Sequence, residues 1–279
     1  MLPQVVEQTM NTLCNALVKN NVDIDSVYLY GSVALGDYIE GSSDIDFIAI
    51  LQKPATESDI QSIAAAHTEL ENVFPHTDIM GAYLLRKDIG KPQSAISSLI
   101  TYYYKQVHTD GSGSDINPVT WWILGNHGIK VFGSAQALKV ETDNDVLLQF
   151  TINNLNSYWL GWIHRLEKHL ASFNSADPDP ASTAKQFDEA VELCTLGMLR
   201  QLYTLNHHDI KSKVEAGYYG ITMIPQQWHE LIYEAINIKR MLPKRFYHSN
   251  EKRLMDLVGL LRYIHLEANR VYDEWVVDE

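Results

Sequence analysis

The segment that most limits what this chain can fold into is VYLYGSVALGDYIEGSSDIDFIAI, residues 27–50. An apolar run ending at Tyr30 meets Gly31-Ser32, and about a dozen residues later Ser43-Asp44-Ile45-Asp46 opens a second apolar run. Both runs read as strands. Strand side chains alternate between faces, so Asp44 and Asp46 project from one side while Ile45 and Phe47 point the other way, into a core. Two carboxylates that close repel each other unless a cation sits between them. Mg²⁺ suits the pair, because it prefers hard oxygen ligands and is commonly held by one or two carboxylates plus phosphate oxygens. Gly31 lets the backbone turn sharply and approach a ligand, and residues 33–38 read as a short helix whose first N–H groups could face a phosphate, with the Ser32 hydroxyl as a further donor. Asp-x-Asp by itself is a common solvated turn. The order strand, Gly-Ser, short helix, Ser-Asp-x-Asp, strand makes it a phosphate cradle followed by a metal-binding carboxylate pair.

Gly-Ser, eleven residues, then Asp-Ile-Asp between two apolar strands resembles the signature of the polymerase-β-like nucleotidyltransferases, and within them the bacterial aminoglycoside adenylyltransferases of the streptomycin/spectinomycin type. A second stretch, LRQLYTLNHHDIKSKVEAGYYGI (residues 199–221), carries the same likeness. Arg200, Tyr203 three residues later and Lys213 thirteen after the Arg keep that family's spacing, with Ser212 before the Lys and Ala216 after it. The resemblance implies transfer of AMP from ATP, as co-substrate, to a hydroxyl of an aminoglycoside-type acceptor. It implies that Asp44 and Asp46 hold Mg²⁺, that Gly31, Ser32 and Ser43 cradle the β and γ phosphates, and that Arg200 and Lys213 bind the triphosphate. Phosphoryl transfer is mostly positioning and charge neutralisation, which is work for cations and metal-holding acids.

One position departs from the pattern. The family places a third acid on the third strand, as metal ligand or as the base that takes the acceptor's proton, and that position falls on Met80. Asp78 lies two residues earlier on the same strand face, roughly 6–7 Å along it, and is the substitute the sequence offers for the catalytic set Asp44, Asp46 and Asp78.

Length and composition agree with an enzyme of this kind. The 279 residues, 46% hydrophobic and 20% charged, can bury a substantial core in one or two domains. No apolar run approaches eighteen residues and the first twenty do not read as a signal peptide, so a cytoplasmic protein without membrane association is expected. Cys14 and Cys194, far apart in sequence, argue against a disulfide scaffold or a zinc site. The net charge of −13 disfavours a nucleic-acid partner and would favour a polycationic small molecule. Oligomeric state is left open.

Along the chain, residues 2–17 show helical periodicity, residues 56–74 read as a helix with Thr56 as N-cap, and residues 76–85 as the third strand. Residues 91–108 are tyrosine-rich, with Tyr102, Tyr103 and Tyr104 in a row. Residues 117–134 read as a helix carrying Trp121 and Trp122, a turn and a strand at 129–132. Beyond residue 140 the signals are helical: 143–170, a loop at 171–184, then 185–206, 212–219, 225–240 and 250–276. The expected architecture is an α/β (α+β) nucleotidyltransferase domain with a small mixed sheet over residues 1–140. An all-α helical bundle over 141–279 follows, and the resemblance gives it the role of closing the active-site cleft. Asp188, Glu189 and Glu192 are available to an acceptor, although no acid falls on the family's acceptor-contacting positions, and His207-His208 reads as a polar turn. Two other readings stay open: the same chemistry on a protein or other acceptor, and a nucleotide-binding regulator with weakened catalysis.

Overall fold

The computed structural model describes residues 2–133, 138–172 and 181–278. The chain divides into two compact units, Met1–Asp143 and Asn144–Glu279. The first holds a six-stranded mixed sheet in the order β5-β4-β3-β2-β1-β6. Its strands are β1 (Ile24–Leu29), β2 (Ile45–Leu51), β3 (Ile79–Leu85), β4 (Ile100–Tyr103), β5 (Gln106–His108) and β6 (Ile129–Gly133). β2 and β3 are parallel and joined by the crossover helix α3 (Glu57–Val73); the other neighbours are antiparallel. α1 (Gln4–Lys19) and α3 cover one face, where Val6, Met10, Leu13, Leu17, Ile63 and Leu70 pack on Val27, Leu29, Phe47, Ala49 and Tyr83.

Local chemistry starts these helices where the sequence suggests. Thr56 and Asp59 form a reciprocal capping box at α3, the Asp59 N–H donating to Thr56 Oγ1 at 3.2 Å and the Thr56 N–H to Asp59 Oδ2 at 2.7 Å. Asn117 caps α4 (Pro118–His127) by accepting from the N–H groups of Val119 and Thr120, with Pro118 in the first turn where its missing N–H costs nothing. Trp121 and Trp122 are buried in this unit's core. Beneath the sheet sits a polar pocket of the core: His67 shares a 2.7 Å hydrogen bond with Tyr83 and stacks on Tyr102 at 3.5 Å.

Two expectations need correction. The helix after Gly-Ser, α2, spans only Gly31–Ala34, because the chain reverses at Gly36 with φ +73°. β3 begins at Ile79, so Asp78 precedes the strand. The tyrosine-rich stretch is a hairpin of β4 and β5, whose connecting residues Tyr104 and Lys105 both take positive φ, 46° and 58°. Such a turn ordinarily announces itself with Asn-Gly or Gly-Gly, which explains why composition hid it.

The second unit is helical: α5 (Asn144–Asn154), a π-helical turn over Leu155–Trp159, α6 (Leu160–Ala171), α7 (Ala181–His207), α8 (Lys213–Met223), α9 (His229–Lys239) and α10 (Asn250–Asp278). Of the loop expected at 171–184, residues 173–180 lie outside the described residues, as does Ser134; Ala181 already begins α7. α7 is the central helix, packed by α5, α8, α9 and α10. Close approach is bought with glycine: a Cβ on Gly217 would sit 2.8 Å from Ile236, and one on Gly220 2.7 Å from Leu199. Around α7 and α10, Glu234 is wholly buried, 2.5 Å from Arg253 though poorly aligned for a hydrogen bond, and it accepts the backbone N–H groups of Phe246 and Tyr247. Arg253 and Arg245 both donate to Asp188, at 2.6 and 2.7 Å.

Candidate active site

The pairing of three strands places the acids. Leu29 of β1 lies opposite Phe47 of β2, and the Tyr30 N–H donates to the Asp46 carbonyl at 3.1 Å, so Tyr30 flanks Asp46. On its other side β3 sets Met80 as the partner of Asp46. The Ile45 N–H donates to the Asp78 carbonyl at 2.9 Å, so Asp78 flanks Asp44. Alternation keeps Tyr30, Asp46 and Met80 in one row across the sheet face, with Asp44 and Asp78 two residues away on the same face. Asp46 is buried, Asp44 half-buried and Asp78 exposed.

Gly31 is required by this geometry. Its φ is +60°, and a Cβ there would lie 1.8 Å from Asp46 Oδ2. The Asp46 carboxylate therefore rests against the Gly31 backbone, an approach no other residue permits. The following Ser32 Oγ is buried without a hydrogen-bond partner among the described residues, a cost that a bound oxygen ligand would remove. Ser43 Oγ accepts from the Ile39 N–H at 3.2 Å and so braces the loop leading into β2.

The donor set fits a hard divalent cation. Two carboxylates share a face, one of them buried against Gly31, and the next residue after that glycine carries the unpartnered Ser32 hydroxyl. Among the described residues no group of three or more His, Cys, Asp or Glu side chains could hold a metal ion. Neighbouring phenols register the local charge. Tyr30, fully buried, is pushed well above its ordinary pKa by burial, then by Asp46, Asp115 and Asp44. Tyr38 is raised by burial, then by Glu40, Asp44 and Asp78.

In the helical unit Arg200 is half-buried on α7. Lys213 opens α8 behind Ser212, whose side chain forms a capping box with Glu215. Lys213 Nζ is 3.0 Å from Glu192 Oε1, a partner the sequence did not suggest. The acids expected to be available to an acceptor are all engaged within the unit: Glu192 with Lys213, Asp188 with Arg245 and Arg253, and Glu189 with Lys185 at 3.7 Å. His207 belongs to the end of α7 and packs with Tyr203 and Tyr219 at ring distances of 4.6 and 5.2 Å. Tyr203 and His207 meet one helical turn apart on α7, whereas Tyr219 joins them from α8, 12 residues beyond His207.

Residues 11–101 match the family model of the nucleotidyltransferase domain. The fold and the acid-bearing strands thus define a nucleotidyltransferase. Residues 174–262 match the model of the aminoglycoside adenylyltransferase C-terminal domain, so the chain as a whole is an aminoglycoside adenylyltransferase-like nucleotidyltransferase. No curated protein matches its sequence. Among solved structures, the fold is shared with the spectinomycin adenyltransferase AAD(9) from Enterococcus faecialis, solved with ATP and spectinomycin, at 14% identity and a TM-score of 0.60, covering 94% of this chain and 98% of that one. Among the described residues no helix is long and apolar enough to cross a membrane.

Proposed function

We propose that this protein transfers AMP from ATP to a hydroxyl of a small-molecule acceptor of the aminoglycoside class, in the cytoplasm, and so modifies an antibiotic. The observation that carries the reading is the Asp46 carboxylate seated on Gly31, with Asp44 on the same face and the Ser32 hydroxyl unpartnered nearby. The solved relative holds ATP and spectinomycin, which supports both the nucleotide and the acceptor class.

Asp44 and Asp46 would hold Mg²⁺, which when bound neutralises phosphate charge and lowers the pKa of an attacking hydroxyl. Ser32 donates to a phosphate oxygen; Gly31 lets the backbone come close to it; Ser43 fixes the loop that brings Asp44 into place. Arg200 and Lys213 would bind the triphosphate, as the family resemblance implies, Lys213 exchanging Glu192 for a phosphate oxygen or sharing itself between them. Met80 beside Asp46 favours a second reading, a nucleotide-binding regulator with weakened turnover.

Pyrophosphate release from Mg²⁺-ATP with a panel of aminoglycosides and spectinomycin separates the readings. Drug-dependent release lost in Asp44→Asn supports transfer to a drug. Release that ignores every drug points to another acceptor, and nucleotide binding without release to the regulator. A fully active Asp44→Asn enzyme would remove the metal assignment. Arg200→Ala and Lys213→Ala are expected to weaken ATP binding about tenfold each, as loss of a charge-assisted contact does.

A further inference from the structure

The helical unit carries a cluster of rings beside the two cations proposed for the triphosphate. Arg200, Tyr203 and His207 stand three and four residues apart on α7, so they share one stripe of that helix, with His207 about 10 Å along it from Arg200. α8 packs against α7 and brings Lys213 in its first turn and Tyr219 within two turns of it. Gly220 permits the approach, since a Cβ there would lie 2.7 Å from Leu199. The three rings pack as one unit. Tyr203 and His207 are inclined by 32° with centroids 4.6 Å apart, and Tyr219 stands nearly perpendicular to both, at 89° and 81°. Tyr219 thus supports the pair edge to face. The Tyr203 hydroxyl donates to Asp209 Oδ2 at 3.2 Å, which holds its ring in place, and His207 is exposed.

Resting on the proposed nucleotidyl transfer, we infer that Tyr203 and His207 form the stacking platform for the base of the nucleoside triphosphate, with Tyr219 as its support. The neighbouring charges decide between a base and the other group that rings attract, an acceptor cation. A cation over these rings would lie on the stripe of Arg200 and meet like-charge repulsion. The carboxylates around the rings are already engaged. Asp209 accepts from Tyr203 and, at 2.8 Å, from the Ile210 N–H; Glu215 accepts from the Ser212 N–H at 3.3 Å and lies 3.9 Å from Lys211; Glu267 binds Arg270 through both oxygens. A base is flat and uncharged, and it gains by stacking on an open ring face whatever its hydrogen-bonding edge. Phosphates and base then follow one stripe of α7, cations first and rings one to two turns further on. Held at both ends, the nucleotide keeps its α-phosphorus in line for attack.

Probes with and without a base test the platform. Calorimetry measures binding of a non-hydrolysable Mg²⁺-ATP analogue, of Mg²⁺-tripolyphosphate and of streptomycin to the unaltered protein and to Tyr203→Leu, Tyr203→Phe and His207→Ala. Tyr203→Leu fills the space without a ring, Tyr203→Phe keeps the ring and loses only the bond to Asp209, and His207 is exposed, so folding is retained. Tyr203→Leu and His207→Ala should each lower analogue affinity about tenfold, with tripolyphosphate affinity within about twofold and Tyr203→Phe within about threefold of the parent for both. Equal losses for analogue and tripolyphosphate, analogue affinity unchanged in either substitution, or a Tyr203→Phe loss as large as that of Tyr203→Leu overturns the inference. So does a loss confined to streptomycin, which would assign the rings to an acceptor cation. In each of those cases Arg200→Ala weakening both phosphate probes leaves the nucleotide reading in place. An unaltered protein that binds neither phosphate probe overturns both.

Discussion

Gly31→Ala tests the site through a single methyl group. The added Cβ would lie 1.8 Å from Asp46 Oδ2 and 2.7 Å from Asp46 Cγ, where real Cβ atoms keep at least 3.0 Å, so the carboxylate must move by about 1.2 Å. A misplacement of about 1 Å at reacting groups costs on the order of 100-fold in rate. The backbone adds its own penalty, since φ +60° costs a non-glycine residue about 1–2 kcal/mol. Gly36→Ala separates the two effects: its φ is +73° but nothing lies within 4 Å of the new Cβ. Both variants should lose about 1–2 kcal/mol in urea unfolding, and only Gly31→Ala should lose activity, by about 100-fold in pyrophosphate release. If Gly31→Ala works within threefold of the parent, or Gly36→Ala is equally crippled, the contact between Gly31 and Asp46 does not organise the site.

Two further predictions concern stability. Glu234→Ala leaves the buried Arg253 with Asp188 as its remaining carboxylate and two backbone N–H groups without their acceptor, so stability should fall by about 2–4 kcal/mol, read as a lower urea midpoint; an unchanged midpoint would refute the network's role. His67 is buried and pushed down to about 3 by desolvation. Its contribution is complete above the unfolded value near 6.5 and falls by about 1.4 kcal/mol per pH unit as pH drops toward 3. His67→Gln should flatten that part of the stability-versus-pH curve; an unaltered slope would assign acid lability to other groups.

Much of the secondary structure is legible because its information is local. Thr56 with Asp59, Asn117 with Pro118, and Ser212 with Glu215 start helices through contacts three residues apart or fewer, and short-range chemistry survives in a one-dimensional reading. Asp44 and Asp46 share a face for the same reason, strand alternation being a property of the backbone alone. The Tyr104-Lys105 turn escaped because nothing in those residue types favours positive φ; the pairing of β4 with β3 and β5 imposes it.

The sequence by itself determined the pair of acids, the glycine before them, the division into an α/β part and a helical part, and the likeness to one enzyme family. Each follows from residue type at fixed short spacing. Only the tertiary structure decided which groups meet. It set Met80 beside Asp46, moved Asp78 toward Asp44, and folded the loop of Gly113 against Tyr103. It also turned Asp188 and Glu192 from available acids into partners of Arg245, Arg253 and Lys213. Strand register and helix packing bring together residues tens of positions apart, and no periodicity in the chain encodes those distances.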